Sequence, residues 1–118
     1  AAYHLGQIAA GLQFLETAFK IATRMDNIYL SIYGLAEMSF LVGSSGHHSE
    51  AVLLGEGALH LASEHGFVIE HLYLNPLDQS LESARRALGE SVYSQLSEEA
   101  KGLTLVRLVE LALTFCRG

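Results

Sequence analysis

Apolar residues recur at steps of three and four along almost the whole chain, and nowhere do they alternate over a strand's length. That spacing predicts helices throughout. Leu5, Ile8, Leu12, Leu15, Phe19 and Ala22 fall on one face, which predicts a single helix to about residue 25 that crosses Gly11 without slipping. A helical hairpin broken near Gly11 is the alternative. Asp26 and Asn27 then supply turn chemistry. Residues 28–42 are apolar on almost every side, with Tyr29, Tyr33 and Phe40 adding bulk, as in a helix lodged between other helices. Gly43-Ser44-Ser45-Gly46 is expected to end it, because glycine accepts the conformation that a helix end often requires.

The next helix is expected from residues 47–49 to about residue 65, stopped by Gly66. Within it Ala51, Gly55, Ala58 and Ala62 follow at steps of four, three and four, a ridge of small residues that lets a neighbouring backbone approach. Leu54 and Leu61 flank that ridge. Residues 67–74 read as loop or as a helical turn. A start signal follows: Asn75 as N-cap, Pro76 at the first helical position and Asp78 in the first turn. Leu77, Leu81, Ala84 and Leu88 carry that helix to Gly89. A shorter helix from about Glu90 holds Val92, Tyr93 and Leu96. Thr104 caps a last helix with Leu105, Leu108, Val109, Ala112 and Phe115, and Leu103 and Leu108 stand at hydrophobic-staple positions. Arg107 occupies the place where a capping box has Glu or Gln.

Six or seven helices with short connections predict an all-α domain. Ala18 and Ala51 lie 33 positions apart, near the 34-residue period of tetratricopeptide repeats. The expected architecture is therefore a tetratricopeptide-like α-α superhelix of six or seven antiparallel helices.

Composition adds three things. The chain has 118 residues, half of them apolar, with a mean hydropathy of +0.28. This is rich for one small domain, so some apolar surface is expected to meet a partner or further repeats. The chain accordingly reads as a single domain over residues 1–118, the C-terminal fragment of a larger protein. The formal net charge is −6, and no Lys or Arg lies between Arg24 and Arg85, where eight acids do. Such a segment repels phosphate backbones and is not expected to contact nucleic acid. No signal-peptide pattern opens the sequence and no apolar run reaches about 18 residues, so no membrane association is expected. The single cysteine, Cys116, rules out an intramolecular disulfide or a four-thiolate metal site and fits a cytoplasmic setting.

Three stretches carry a family likeness. They are Ile32-Tyr33-Gly34-Leu35-Ala36 followed by Gly46 and Ala51, then Leu53-Leu54-Gly55 through Gly66. The third is Ala84-Arg85-Arg86-Ala87-Leu88-Gly89-Glu90 followed by Gly102-Leu103-Thr104-Leu105 and Ala112-Leu113. From about Tyr29 onward the chain thus resembles the C-terminal helical repeats of large bacterial ATPase-type transcriptional regulators and cyclase-linked signalling proteins. Many of these carry a LuxR-type DNA-binding domain elsewhere. The resemblance implies repeats that sense partners or ligands and hold an ATPase in check. The ATPase and DNA-binding domains are not in this chain. The closing segment departs from the family pattern, with no tryptophan and with Arg107 where an acid follows the cap.

Candidate chemistry is sparse. His60 and Glu64 are one helical turn apart, with His47, His48, His65 and His71 in the same acidic stretch; imidazole and carboxylate at that spacing can chelate zinc. The two-histidine helical motif of metalloproteases does not occur, and neither a metal site nor a cofactor is expected. Five histidines among the acids would offset that region's charge as pH falls through about 6.5. Cys116 has no histidine near it in sequence, and the glycines at 43, 46, 55, 57 and 66 precede no Gly-Lys-Ser/Thr, so no catalytic residue is assigned. Tyr29, Tyr33 and Phe40 read first as core. In stacked helix pairs, however, the first helix of each pair lines the concave surface, which places Tyr29, Tyr33 and Glu37 in an expected ligand or partner groove.

The expected function is a non-catalytic interaction or sensor module of a bacterial signalling or transcriptional regulator. Its partners would be a protein or small effector on the concave face, and the other domains of its parent chain. A competing reading is a homodimer, with the stripe of Leu5, Ile8, Leu12, Leu15 and Phe19 pairing with its twin. A small metal-dependent enzyme is the third.

Overall fold

A computed structural model describes the backbone of residues 5–117 and the side chains of 8–70 and 74–116. The fold is all-α. Among the described residues there are six helices: α1 (Leu5–Arg24), α2 (Ile28–Ser44), α3 (His48–Glu64), α4 (His71–Leu88), α5 (Glu90–Lys101) and α6 (Leu105–Arg117).

The first three helices end identically. The N–H groups of Asn27, His47 and Phe67 donate to the carbonyls of Ala22, Val42 and Ala62 at 2.8, 2.9 and 2.8 Å. The residue before each lies in the left-handed region: Asp26 at φ 53°, Gly46 at 89° and Gly66 at 63°. These are Schellman closures, which satisfy the orphan carbonyls of a helix end. They recur every 20 residues (22, 42, 62), so equivalent points on α1 and α3 are 40 apart. Ala18 therefore answers to Ala58, and Ala51 to Gly11; the 33-residue spacing from Ala18 to Ala51 is not the period of this chain.

Local chemistry explains several starts. The Asn27 side chain accepts from the Leu30 N–H at 3.1 Å, and Thr104 Oγ1 accepts from the Arg107 N–H at 3.2 Å, each capping its helix. α1 runs through Gly11 unbroken.

Two expected boundaries move. α2 continues through Gly43 to Ser44; a Cβ on Gly43 would come within 2.6 Å of Ser80 Oγ, so this glycine serves packing, and Gly46 makes the turn. α4 starts at His71, not at Asn75, and carries Pro76 inside it. Proline there removes one backbone hydrogen bond close to the helix start. The Leu74 N–H still donates to Glu70 at 2.8 Å, and buried Ile69 and half-buried Leu74 hold this first turn on the core.

The core is centred on α2 and α3. Ser39, Ala51, Gly55, Ala58 and Ala62 are buried along their contact, with Leu54 and Leu61 beside them. α4 lies across both helices, α5 packs on α3, and α6 returns to touch α1, α2 and α3. That return closes the run of helices on itself. The radius of gyration is 13.0 Å, against roughly 13.5 Å for a compact domain of this length.

Candidate functional site

α1 is apolar over about half its circumference. Leu15, Phe19 and Ala22 are buried and Leu12 packs against the core. The side chain of Leu5 lies outside the described residues. A second row, Phe14, Ala18, Ile21 and Met25, follows at steps of four, three and four, and its large members face solvent: Phe14 is 73%, Ile21 43% and Met25 67% exposed.

Between this half-covered helix and α2 lies an open cavity of about 330 Å³. Gly11, Phe14 and Ala18 wall it from α1; Leu30, Tyr33 and Glu37 wall it from α2. Gly34 forms its floor because Phe19 fills the space beside it: a Cβ there would sit 2.8 Å from Phe19 Cε1. Such a volume stands at the small end of ligand pockets, and its mostly apolar walls with one converging charge fit that class.

Two of the three residues expected in a groove, Tyr33 and Glu37, line this cavity. Tyr29 stands one turn before Tyr33, half exposed, and does not line it. Both tyrosine rings meet Phe67 edge-on, with centroids 4.9 Å from Tyr29 and 5.2 Å from Tyr33, so Phe67 holds the cavity's aromatic wall in place. The cleft belongs to one helix pair, α1 with α2.

Glu37 is the chemically distinctive group. Among the described residues no hydrogen bond or ion pair reaches its carboxylate. Burial pushes that carboxyl above the ordinary carboxylate value, since apolar surroundings disfavour the charged form. On α1, Lys20 pairs with Glu16 at 3.7 Å.

A second polar cluster joins α3, α4 and α5, which the sequence did not signal because Glu56 lies 37 residues before Tyr93. The Tyr93 hydroxyl donates to Glu56 Oε2, and the Arg85 guanidinium lies 4.4 Å over the Tyr93 ring. Arg85 also reaches Glu90 at 3.6 Å. Burial first, and the Glu56 carboxylate second, hold the Tyr93 phenol far above its usual range. It stays protonated at neutral pH and fastens α5 to α3.

His60 Nε2 lies 3.6 Å from Glu64 Oε1, but among the described residues no three His, Cys, Asp or Glu side chains gather as a metal site. His48 Nδ1 is shielded from solvent and has no hydrogen-bond partner there. The His47 ring rests against Phe115 at 5.2 Å, and the side chain of His71 lies outside the described residues. Cys116 is half-buried in α6. Among the described residues no helix is long and apolar enough to cross a membrane.

No protein-family model, curated protein or solved structure matches the chain.

Proposed function

We propose that the chain is a non-catalytic helical interaction module whose binding surface is the groove between α1 and α2. The observation that carries this reading is the half-covered apolar arc of α1 beside a cavity that holds one carboxylate with no partner among the described residues. Monomeric proteins seldom leave a contiguous apolar surface uncovered unless something binds it. Tyr33, Glu37 and the neighbouring Tyr29 supply its polar and aromatic contacts. The parent is a bacterial signalling or transcriptional regulator in the cytoplasm, on the strength of the helix-packing motifs from Tyr29 onward.

Homodimerisation through Leu12, Leu15 and Phe19 is disfavoured by geometry, because those side chains are committed to α2 and the core. Amide shift mapping with a library of small organic fragments tests the site. The reading expects the Gly11 and Gly34 amides to respond to hits; hits that leave both unmoved would overturn it. The regulator setting is tested in the reading frame upstream of Ala1, where a glycine-rich loop ending in Gly-Lys-Ser/Thr supports it and a different domain class refutes it.

A further inference from the structure

We infer that the α1–α2 groove docks an amphipathic helix of a partner protein, which brings a lysine or arginine to Glu37. The inference rests on the interaction-module reading and names its partner by shape and charge.

Shape comes first. Leu30, Gly34, Glu37 and Leu41 on α2 follow at steps of four, three and four, as do Phe14, Ala18 and Ile21 on α1 and Met25 just past its end. Two rows with seam spacing, side by side over a glycine floor, form a trough that a third helix fills. The molecule already contains one such arrangement. α4 lies across α2 and α3, with Ser80 donating to the Ser39 carbonyl at 3.3 Å and Leu77 and Leu81 reaching Gly55. At α1–α2 the corresponding third helix is absent among the described residues.

Length decides against a small ligand. The exposed row from Phe14 to Met25 spans about 16 Å at 1.5 Å per residue. An organic amine would fill the cavity and meet Glu37, yet leave Ile21 and Met25 in water. A helix covers all of them.

Charge names the partner. A half-buried carboxylate is costly until paired, and among the described residues no Lys or Arg reaches Glu37, with none in sequence between Arg24 and Arg85. The pairing cation therefore comes from outside, on a seam position of the docking helix.

The test uses the full chain and a set of 18-residue amphipathic peptides. Each has leucine at the seam positions, one seam lysine moved through the set, and alanine and glutamine elsewhere. A twin set carries norleucine in place of the lysine. Fluorescence anisotropy is expected to show one lysine register binding best, with Glu37→Gln weakening it about tenfold and leaving its norleucine twin unchanged. Ala18→Arg, and independently the milder Phe14→Ser, should weaken both peptides, and Glu98→Gln on α5, which packs on α3 and α4, neither.

If Glu37→Gln leaves lysine-peptide binding intact while Ala18→Arg and Phe14→Ser abolish it, the groove stands as a binding surface and the cationic partner falls. The same holds if Glu98→Gln weakens binding as much as Glu37→Gln. If no peptide binds, or binding ignores both groove variants, the helix-docking inference falls. The module reading falls with it only if fragment mapping also leaves the groove silent. Butylammonium binding as tightly as the peptides, or a concentration-dependent dimer broken by Phe14→Ser, would replace the proposed partner with a small amine or a second copy.

Discussion

The seam where α4 crosses α2 and α3 and the groove between α1 and α2 are made of the same materials and reach opposite outcomes. Each sets small residues on facing helices so that backbones come close: Gly43, Ala51 and Gly55 in the first, Gly11, Ala18 and Gly34 in the second. In the first, α4 fills the trough. Ser39 donates to the Ala51 carbonyl at 2.7 Å, Ser80 donates to Ser39, and Leu77 is fully buried. In the second no helix of the described chain arrives, a cavity remains, and Glu37 has no partner among the described residues. Small residues on a helix face thus prepare a close approach without saying what approaches.

Substitutions separate the two regions. Leu77→Ala should empty part of the filled trough and cost about 3 kcal/mol of stability, read as a fall in the urea midpoint at constant slope; a loss below about 1 kcal/mol would mean that the seam is loosely packed. Gly55→Ala comes next. Its Cβ would stand 2.7 Å from Ser39 Oγ and 2.9 Å from atoms of both Leu77 and Leu81, and with three neighbours to displace it should cost about 2 kcal/mol, despite alanine's better helix propensity. Gly11→Ala should go the other way. Among the described residues its Cβ would meet only Leu41, at 3.3 Å, and Leu41 has the cavity to move into, so a gain of up to about 0.5 kcal/mol in thermal unfolding is expected. A clear destabilisation at Gly11 would erase the contrast.

The smallest effect concerns the charge. The Glu37 carboxyl is raised in the folded chain, so the protonated form favours folding. Its contribution is fully present below the unfolded value near 4.5 and is lost as pH rises through the higher folded value. Glu37→Gln should match the wild type near pH 3.5 and exceed its stability at pH 7 by about a few tenths of a kcal/mol, since the group is only half shielded from solvent. Equal stabilities at both pH values would show that the carboxylate is adequately solvated where it stands.

Much of the candidate site could be read from spacing along α2. Tyr33 and Glu37 fall one turn apart on a helix whose other faces are apolar, and a lone acid there stands out. The α1 wall is not contained in the single stripe from Leu5 to Ala22. The neighbouring row of Phe14, Ala18, Ile21 and Met25 has the same spacing and is the signal for it. The α2 spacing also puts Tyr29 in the groove, but it does not line the cavity; Phe67, some 38 positions on, packs against its ring, a contact that no local pattern contains.

The sequence by itself determined the helical class, the turns around Asp26, Gly46 and Gly66, and the cap at Thr104. These are settled within a few residues, by backbone conformation and by the nearest side-chain oxygen. Only the tertiary structure decided that Gly43 is a packing residue, that α4 begins before Pro76, that α6 returns to α1, and which half of the α1 arc stays bare. Each of those depends on a partner tens of residues away in sequence, whose burial outweighs the local preference.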